Sequence, residues 1–200
     1  MRIRESKCKL CRQLNTKLFL KGERCYTEKC SLERKKPQQR RTFSRRRKSS
    51  IYGQQLKEKQ RLRCMYGLSE KELKKYYQMA GKGLFQLLER RLDRVVYLSS
   101  LGFSLPHARQ LVIHGHFLIN GLKVDIPSYI VKEGDKIEVR KESKKLSIMK
   151  QILEISEKRV TPEWLEVNRE SLSARVKRFP LSEEANRDIS LPLIIGYYSR

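Results

Sequence analysis

The chain has 200 residues, of which 38% are hydrophobic, so it can bury the core of one or two modest domains. Lysine and arginine number 46 against 22 aspartates and glutamates, a formal net charge of +24. Such an excess of one sign favours a polyanionic partner, with nucleic acid ahead of an anionic membrane surface. The sequence contains no apolar run long enough for a transmembrane helix or a secretory signal, which predicts a soluble protein of a reducing compartment.

The positive charge is densest at the N-terminus, where residues 1–50 hold 18 basic and 4 acidic side chains. Nine of the basic residues fall within 34–48, a segment too poor in apolar groups to form a core. We expect an extended arm that becomes ordered on a phosphate backbone, with a solvated linker or a nuclear targeting run as the alternative. The cations of this arm are Arg34, Lys35, Lys36, Arg40, Arg41, Arg45, Arg46, Arg47 and Lys48.

Four of the five cysteines are closely spaced, as Cys8-x2-Cys11 and, after thirteen intervening residues, Cys25-x4-Cys30. Two close pairs joined by a short loop can bring four thiolates around one Zn²⁺, and flanking lysines and arginines favour the ionised thiols. Disulfides are disfavoured without a secretory signal, and an iron–sulfur cluster, which takes the same ligands, is less expected beside a basic arm. The spacing predicts one structural zinc site.

Two helices are predicted after the arm. Residues 54–65 have helical spacing of apolar positions, with basic side chains between them that give the helix a basic face. Ser69 and Glu72 form a capping-box pattern that starts a second helix, which stops at Gly81. We expect Cys64 to be a packed residue rather than a further ligand. The basic side chains of the first helix are Lys57, Lys59, Arg61 and Arg63.

A second group of elements is predicted between 84 and 139. The apolar period predicts one helix over 84–103 that ends at Gly102, then a short helix from Ser104 to Gly115. Asn120-Gly121 lies between two β-prone runs and predicts a hairpin with a type I′ turn. A third strand is predicted at 136–139, so the order is helix, short helix, hairpin, strand.

This order resembles the small RNA-binding module named after ribosomal protein four of the small subunit, here called the S-four module. The module also occurs in pseudouridine synthases, tyrosyl-tRNA synthetases and a heat-shock RNA-binding protein, so it implies RNA binding without specifying the ribosome. The residues that carry the resemblance are Arg91-Leu92-Asp93, Ala108 to Val112, Gly115 to Gly121, Val124, Tyr129 and Glu133 to Val139.

The flanks resemble the bacterial-type family of that ribosomal protein, in its cysteine-bearing, zinc-binding form. The match is in order and nearly end to end, which makes it more specific than the module alone. It is carried by Cys8 to Arg12, Leu18 to Cys25, Lys29-Cys30, Tyr52 to Gln60, Tyr66-Gly67, Leu87 to Tyr97, Trp164 to Val167 and Tyr197 to Arg200.

The resemblance implies an α+β protein with three parts. These are a zinc-binding basic arm over 1–45, a helical domain over 46–90 that the chain end from about 184 to 200 rejoins, and the S-four module with extensions over 91–183. The core of the module, 91–150, packs two helices on a small antiparallel or mixed sheet.

The implied function is that of a non-enzymatic constituent of the small ribosomal subunit. Family members bind small-subunit rRNA directly, nucleate assembly of the subunit body, contribute to translational accuracy, and lie beside small-subunit proteins five and twelve near the mRNA entry path. The implied location is the cytoplasm of a bacterium, within the ribosome, with a plastid ribosome as the alternative and no membrane involved.

A folded RNA is recognised mainly through its shape and phosphates, which requires cations on rigid elements. The resemblance places Arg94, Arg109, Gln110 and Lys123 on the RNA face of the module and adds Tyr52 and Gln55 on the first helix. Arg109 must point outward because it lies between the apolar positions Ala108 and Leu111. We expect His114 and His116 to be turn and surface groups and Trp164 to be a packing anchor.

Two other functions fit parts of the sequence. Arg91-Leu92-Asp93 is similar to the motif that carries the catalytic aspartate of pseudouridine synthases, but no separate catalytic domain follows, so we expect Asp93 on the helix surface. A DNA-binding zinc protein would fit the cysteines and the arm but not the hairpin module. The chain also lacks a glycine-rich phosphate loop and a synthetase nucleotide signature.

Overall fold

The computed structural model describes residues 6–34, 50–156, 160–181, 184 and 189–199. The arm cations from Lys35 to Lys48 lie outside these ranges. The described residues form two compact units, one made of residues up to Lys82 with the C-terminal helix and the other running from Gly83. The helices are α1 (Lys7–Leu14), α2 (Ile51–Tyr66), α3 (Glu70–Ala80), α4 (Leu84–Glu89), α5 (Leu92–Leu98), α6 (Leu105–Ile113), α7 (Lys141–Lys144), α8 (Ser147–Ser156) and α9 (Leu191–Tyr198). The strands are β1 (Phe117–Ile119), β2 (Leu122–Lys123), β3 (Lys136–Val139), β4 (Leu165–Asn168) and β5 (Ser173–Val176).

The first unit confirms both predicted helices. The Ser50 hydroxyl accepts a hydrogen bond from the Gly53 amide and starts α2 a turn earlier than the apolar pattern indicated. The capping box at the start of α3 is complete: the Ser69 hydroxyl accepts from the Glu72 amide, and the Glu72 carboxylate accepts from the Ser69 amide at 2.7 Å. Cys64 is buried in α2, as predicted.

The C-terminal helix α9 packs against α2. A Cβ at Gly196 would lie 2.7 Å from Gln55 Nε2, so only glycine fits here without moving that side chain. Two tyrosine pairs add to the contact: Tyr52 stacks on Tyr197 with ring centroids 5.8 Å apart, and Tyr77 on Tyr198 at 4.6 Å. Residues of α2, α3 and α9, which are far apart in sequence, thus pack together within this unit.

The single helix predicted over 84–103 is wrong, because the chain breaks it into α4 and α5. Between them, Arg91 pairs with Ile130 as an antiparallel bridge, and the Leu92 amide donates to the Tyr129 carbonyl at 2.8 Å. The Val131 amide in turn donates to the Arg90 carbonyl. These backbone groups bond to a distant segment instead of continuing the helix, which local periodicity cannot show. Helix α5 then ends at Leu98, earlier than Gly102.

The second unit contains a five-stranded antiparallel sheet in the order β2-β1-β3-β5-β4. The predicted hairpin is confirmed: Asn120 and Gly121 have φ of 49° and 83°, as a type I′ turn requires. The third strand is confirmed at β3. The sequence patterns do not predict the hairpin of β4 (Leu165–Asn168) and β5 (Ser173–Val176). With these elements the α+β class is confirmed, and the sheet is antiparallel rather than mixed.

The core of this unit lies between α5, α6 and the sheet. Val96, Val112 and Phe117 are fully buried there, and each such side chain contributes about 1.5–3 kcal/mol through removal of apolar surface from water. Trp164 joins the same cluster with 1% of its surface exposed, which confirms it as a packing anchor.

A buried ion pair lies at the start of α5 and corrects the expectation for Asp93. Asp93 is 1% exposed rather than on the surface, and its carboxylate accepts two hydrogen bonds from the Arg91 guanidinium, at 3.0 and 2.8 Å. Arg91 is itself fully buried. Two planar groups bonded in parallel satisfy each other where water is excluded.

We therefore expect Asp93→Ala to destabilise the second unit by about 3–5 kcal/mol, because it leaves the Arg91 cation buried without its carboxylate. Trp164 is the only tryptophan, so its fluorescence during urea unfolding reports on this unit. Asp125→Ala, which removes an exposed carboxylate, is the control and should change the midpoint little. Equal effects of the two substitutions would show that the pair is not needed.

Candidate nucleic-acid interface

Helix α2 does not present all of its predicted contacts to solvent. Lys57 and Tyr52 are exposed, but Gln55 is buried against α9. Lys59 is also buried, with Nζ 2.5 Å from Glu70 Oε1 and 4.2 Å from the centre of the Tyr197 ring. The ammonium group is therefore satisfied inside the unit by a carboxylate and an aromatic face.

The remaining predicted cations of α2 are half-buried. Arg61 lies 3.7 Å from a carboxylate oxygen of Glu58, one turn away on the same helix. Arg63 is half-buried near the end of α2. Of the arm cations, Arg34 falls within the described residues and is exposed. Their roles in RNA binding stay predictions.

In the second unit, Arg109 combines exposure with a fixed orientation. It lies on α6 with 23% of its side chain exposed, and its Nη1 is 3.8 Å from the buried Asp93 carboxylate. Since the carboxylate is held by Arg91, it restrains one side of the Arg109 guanidinium. The neighbouring Gln110 is exposed. A cation restrained in this way loses little conformational entropy when it binds a phosphate.

The Arg94 guanidinium already has a close carboxylate partner. It donates two hydrogen bonds to Glu89, at 2.8 and 3.1 Å, and lies 5.4 Å from the centre of the Tyr97 ring. Glu89 is nearly fully buried, so this pair is weakly screened by solvent. A phosphate contact by Arg94 would therefore have to compete with an existing partner.

The loop at Gly115 brings two further cations together. Gly115 has φ of 70°, and the side chain of Lys123 lies directly over it, so that a Cβ there would be 2.4 Å from Lys123 Cε. Arg140 donates from Nη1 to the Gly115 carbonyl at 3.4 Å. The sequence reading missed Arg140; its position directly after β3, beside the predicted hairpin, is the signal that was available.

His114 and His116 flank the same loop. His114 is exposed, whereas His116 is half-buried and its Nδ1 lies 2.9 Å from the Ser143 hydroxyl. Burial, the neighbouring His114 and the Arg140 charge together lower the pKa of His116. The ring is therefore neutral near pH 7, and the positive charge of this loop comes from Lys123 and Arg140.

The four N-terminal cysteines share one small region of the first unit. Cys11, Cys25 and Cys30 are buried, Cys8 is half-buried, and all four thiols are free. Burial raises the pKa of Cys11, and the neighbouring Cys25, Cys8 and Cys30 add to the rise. Within the described part of the chain, no group of three or more histidine, cysteine, aspartate or glutamate side chains has the arrangement of a metal site.

None of the helices in the described ranges is both long and apolar enough to span a bilayer.

Comparison with known families defines the class. A family model for the ribosomal protein S4/S9 N-terminal domain matches residues 2–99, and an S4 domain model matches residues 90–137, which include α5, α6 and the hairpin. The chain is thus a ribosomal-type N-terminal domain followed by an S4 domain, the module described above as S-four.

Curated relatives narrow this class to one family. The small ribosomal subunit protein uS4 of Thermodesulfovibrio yellowstonii is 45% identical over 98% of this chain and 97% of the relative. Those of Halothermothrix orenii and Ruminiclostridium cellulolyticum are 44% and 45% identical, covering 96% and 100% of this chain and 96% and 99% of the relatives. This chain belongs to the uS4 family of small ribosomal subunit proteins.

The Gly115 loop yields a prediction with an internal control. Gly115→Ala and Gly121→Ala both place a side chain at positive φ, at a cost of about 1–2 kcal/mol each. Only the first also displaces the Lys123 side chain, since the site of a Cβ at Gly121 is open. We expect Gly115→Ala alone to weaken binding to small-subunit rRNA, measured by filter binding at fixed salt. Equal affinity of the two variants would show that the position of Lys123 does not matter.

Proposed function

We propose that this chain is a structural constituent of the small ribosomal subunit and binds its rRNA. The observation that carries the proposal is the 45% identity over 98% of the chain to a uS4 protein. The geometry supports it independently, because Arg109 and Lys123 lie on α6 and β2 of the S4 domain and Arg140 directly follows β3.

The mechanism proposed is recognition of shape and phosphates. Folded RNA presents phosphates at fixed positions, so a binder gains most from cations whose positions are set before contact. Asp93 restrains Arg109, and the Gly115 turn leaves room for Lys123. The basic arm, of which Arg34 is described, then adds affinity that does not depend on RNA sequence.

The finer assignments rest on the family resemblance. The protein binds rRNA early, nucleates assembly of the subunit body and contributes to translational accuracy. Its neighbours are small-subunit proteins five and twelve, near the mRNA entry path, in the cytoplasmic ribosome of a bacterium or in a plastid ribosome. The high positive charge supports a site surrounded by RNA.

Catalysis of the pseudouridine synthase type is not favoured. Asp93, the residue that would match its catalytic carboxylate, is 1% exposed and bonded to the Arg91 guanidinium. A carboxylate in this position cannot reach a uridine without loss of the buried pair.

We also propose that Cys8, Cys11, Cys25 and Cys30 hold one Zn²⁺. The donor set supports this, since four free thiols, three of them buried, lie within one segment of 23 residues, 8–30. The cation would act as a structural crosslink, offsetting the thiolate charges and holding helix α1 to the turn at 22–25.

The rRNA proposal is tested by co-sedimentation of the wild-type chain with small subunits after a high-salt wash and by its affinity for small-subunit rRNA. We expect Arg109→Gln to lower that affinity and to reduce the slope of log affinity against log salt by about 1. Arg175→Gln, which removes an exposed cation from β5, should have less effect. Failure of the wild-type chain to bind rRNA would overturn the proposal.

The zinc proposal predicts that Cys8→Ser lowers the zinc content of the purified chain, because three thiolates bind Zn²⁺ more weakly than four. Elemental analysis gives the zinc-to-protein ratio, and Trp164 fluorescence should show the second unit still folded. Cys64→Ser is the matched control, since this cysteine is buried in α2. A wild-type chain without bound zinc would contradict the proposal.

A further inference from the structure

Helix α3 has a basic outer face that the sequence reading did not single out. Lys71, Lys74 and Lys75 are exposed, and their spacing of three and four residues places them on one face of the helix. Leu73, fully buried, lies on the opposite face. We call Lys71, Lys74 and Lys75 the α3 lysine stripe.

The carboxylates of α3 are used elsewhere. Glu70 is four residues before Lys74, the favourable spacing for an ion pair within a helix, yet its carboxylate binds the buried Lys59. The Glu72 carboxylate accepts the Ser69 amide in the capping box. Among the residues that the structure describes, the side chains of the stripe lysines take part in no ion pair or hydrogen bond.

This arrangement has an electrostatic cost. Like charges three and four residues apart on a helix destabilise it by tenths of a kcal/mol for each pair, about 0.2–0.5 kcal/mol. Protein surfaces ordinarily intersperse both signs, which removes the cost. A helix that commits its acids to packing and capping leaves its cations available to an external polyanion.

Helix α2 differs from α3 in this respect. There the predicted contacts Lys59 and Arg61 lie near the carboxylates of Glu70 and Glu58. Glu70 neutralises Lys59 and does not pair with Lys74. The tertiary structure thus neutralises a cation of α2 and leaves a cation of α3 available.

We propose that the α3 lysine stripe binds the phosphate backbone of small-subunit rRNA, in addition to the contacts from Arg109 and Lys123. This inference rests on the proposed rRNA binding and names a surface for it in the first unit. The chemistry is that of point charges on flexible stems, which contact phosphates without reading bases.

The test compares full-length variants that lose the same charge. Lys71→Gln, Lys74→Gln and Lys75→Gln are combined, because glutamine has nearly the helix propensity of lysine. The control combines Lys132→Gln, Lys141→Gln and Lys177→Gln, three exposed lysines that are far apart in the sequence of the second unit. Affinity for small-subunit rRNA is measured over a series of salt concentrations, with circular dichroism as the check on folding.

We expect the stripe variant to bind rRNA at least about tenfold more weakly and to lose about 2–3 from the slope of log affinity against log salt. The control should change affinity by less than about threefold. A variant with arginine at the same three positions should keep wild-type affinity. This result would show that the loss in the glutamine variant comes from charge and not from a less stable helix. If the glutamine variant does not fold, the arginine variant tests the inference, and it must bind rRNA as tightly as the wild-type chain.

The outcomes separate the two proposals. Unchanged binding by the stripe variant, or losses equal to those of the control, would overturn the inference and leave rRNA binding in place. Weak binding by the arginine variant would also overturn it, because charge would then not be the determinant. Absence of rRNA binding by the wild-type chain would overturn both.

Discussion

The buried pair of Arg91 and Asp93 is the interaction on which the second unit depends. It lies where α4 ends and α5 begins, beside the bridge from Arg91 to Ile130 that ties the helices to the segment after the hairpin. A buried ion pair adds little to the stability of the folded state, but loss of either partner leaves an uncompensated buried charge and is costly. The second unit is therefore stable only in an arrangement of the chain that keeps Arg91 and Asp93 together. The same carboxylate restrains Arg109, which connects the packing of the core to the candidate interface.

The distribution of carboxylates decides which cations are available. Glu89 binds Arg94 and Glu70 binds Lys59 at hydrogen-bonding distance, while Arg61 and Arg109 lie 3.7 and 3.8 Å from the carboxylates of Glu58 and Asp93. The lysines of the outer face of α3 have no such carboxylate partner within the described residues. A net charge of +24 therefore does not describe the surface fully, because within the described residues carboxylates such as Glu70 and Glu89 neutralise particular cations and leave others available to a polyanion.

Sequence patterns predicted the elements whose hydrogen bonds join nearby residues. The Ser69 and Glu72 capping box, the type I′ turn at Asn120-Gly121 and strand β3 depend on residues a few positions apart, and all three were predicted correctly. The motifs between Arg91 and Val139 resemble the S4 module, and the flanking segments resemble the ribosomal protein family. The four cysteines predict a zinc site from spacing alone, which remains a proposal.

The sequence patterns do not predict which distant segments of the chain pair with each other. Nothing local shows that Arg91 bridges Ile130, so the apolar period from 84 to 103 predicts one helix where the chain makes two. The same pattern predicts Asp93 on the helix surface, because Arg91-Leu92-Asp93 lies inside the periodic segment. Its pairing with Arg91 and Arg109 is seen only in the folded chain. By itself the sequence determined composition, family and the elements set by local hydrogen bonds. Only the tertiary structure decided which charges are buried in pairs and which face solvent, because that depends on residues brought together from distant parts of the chain.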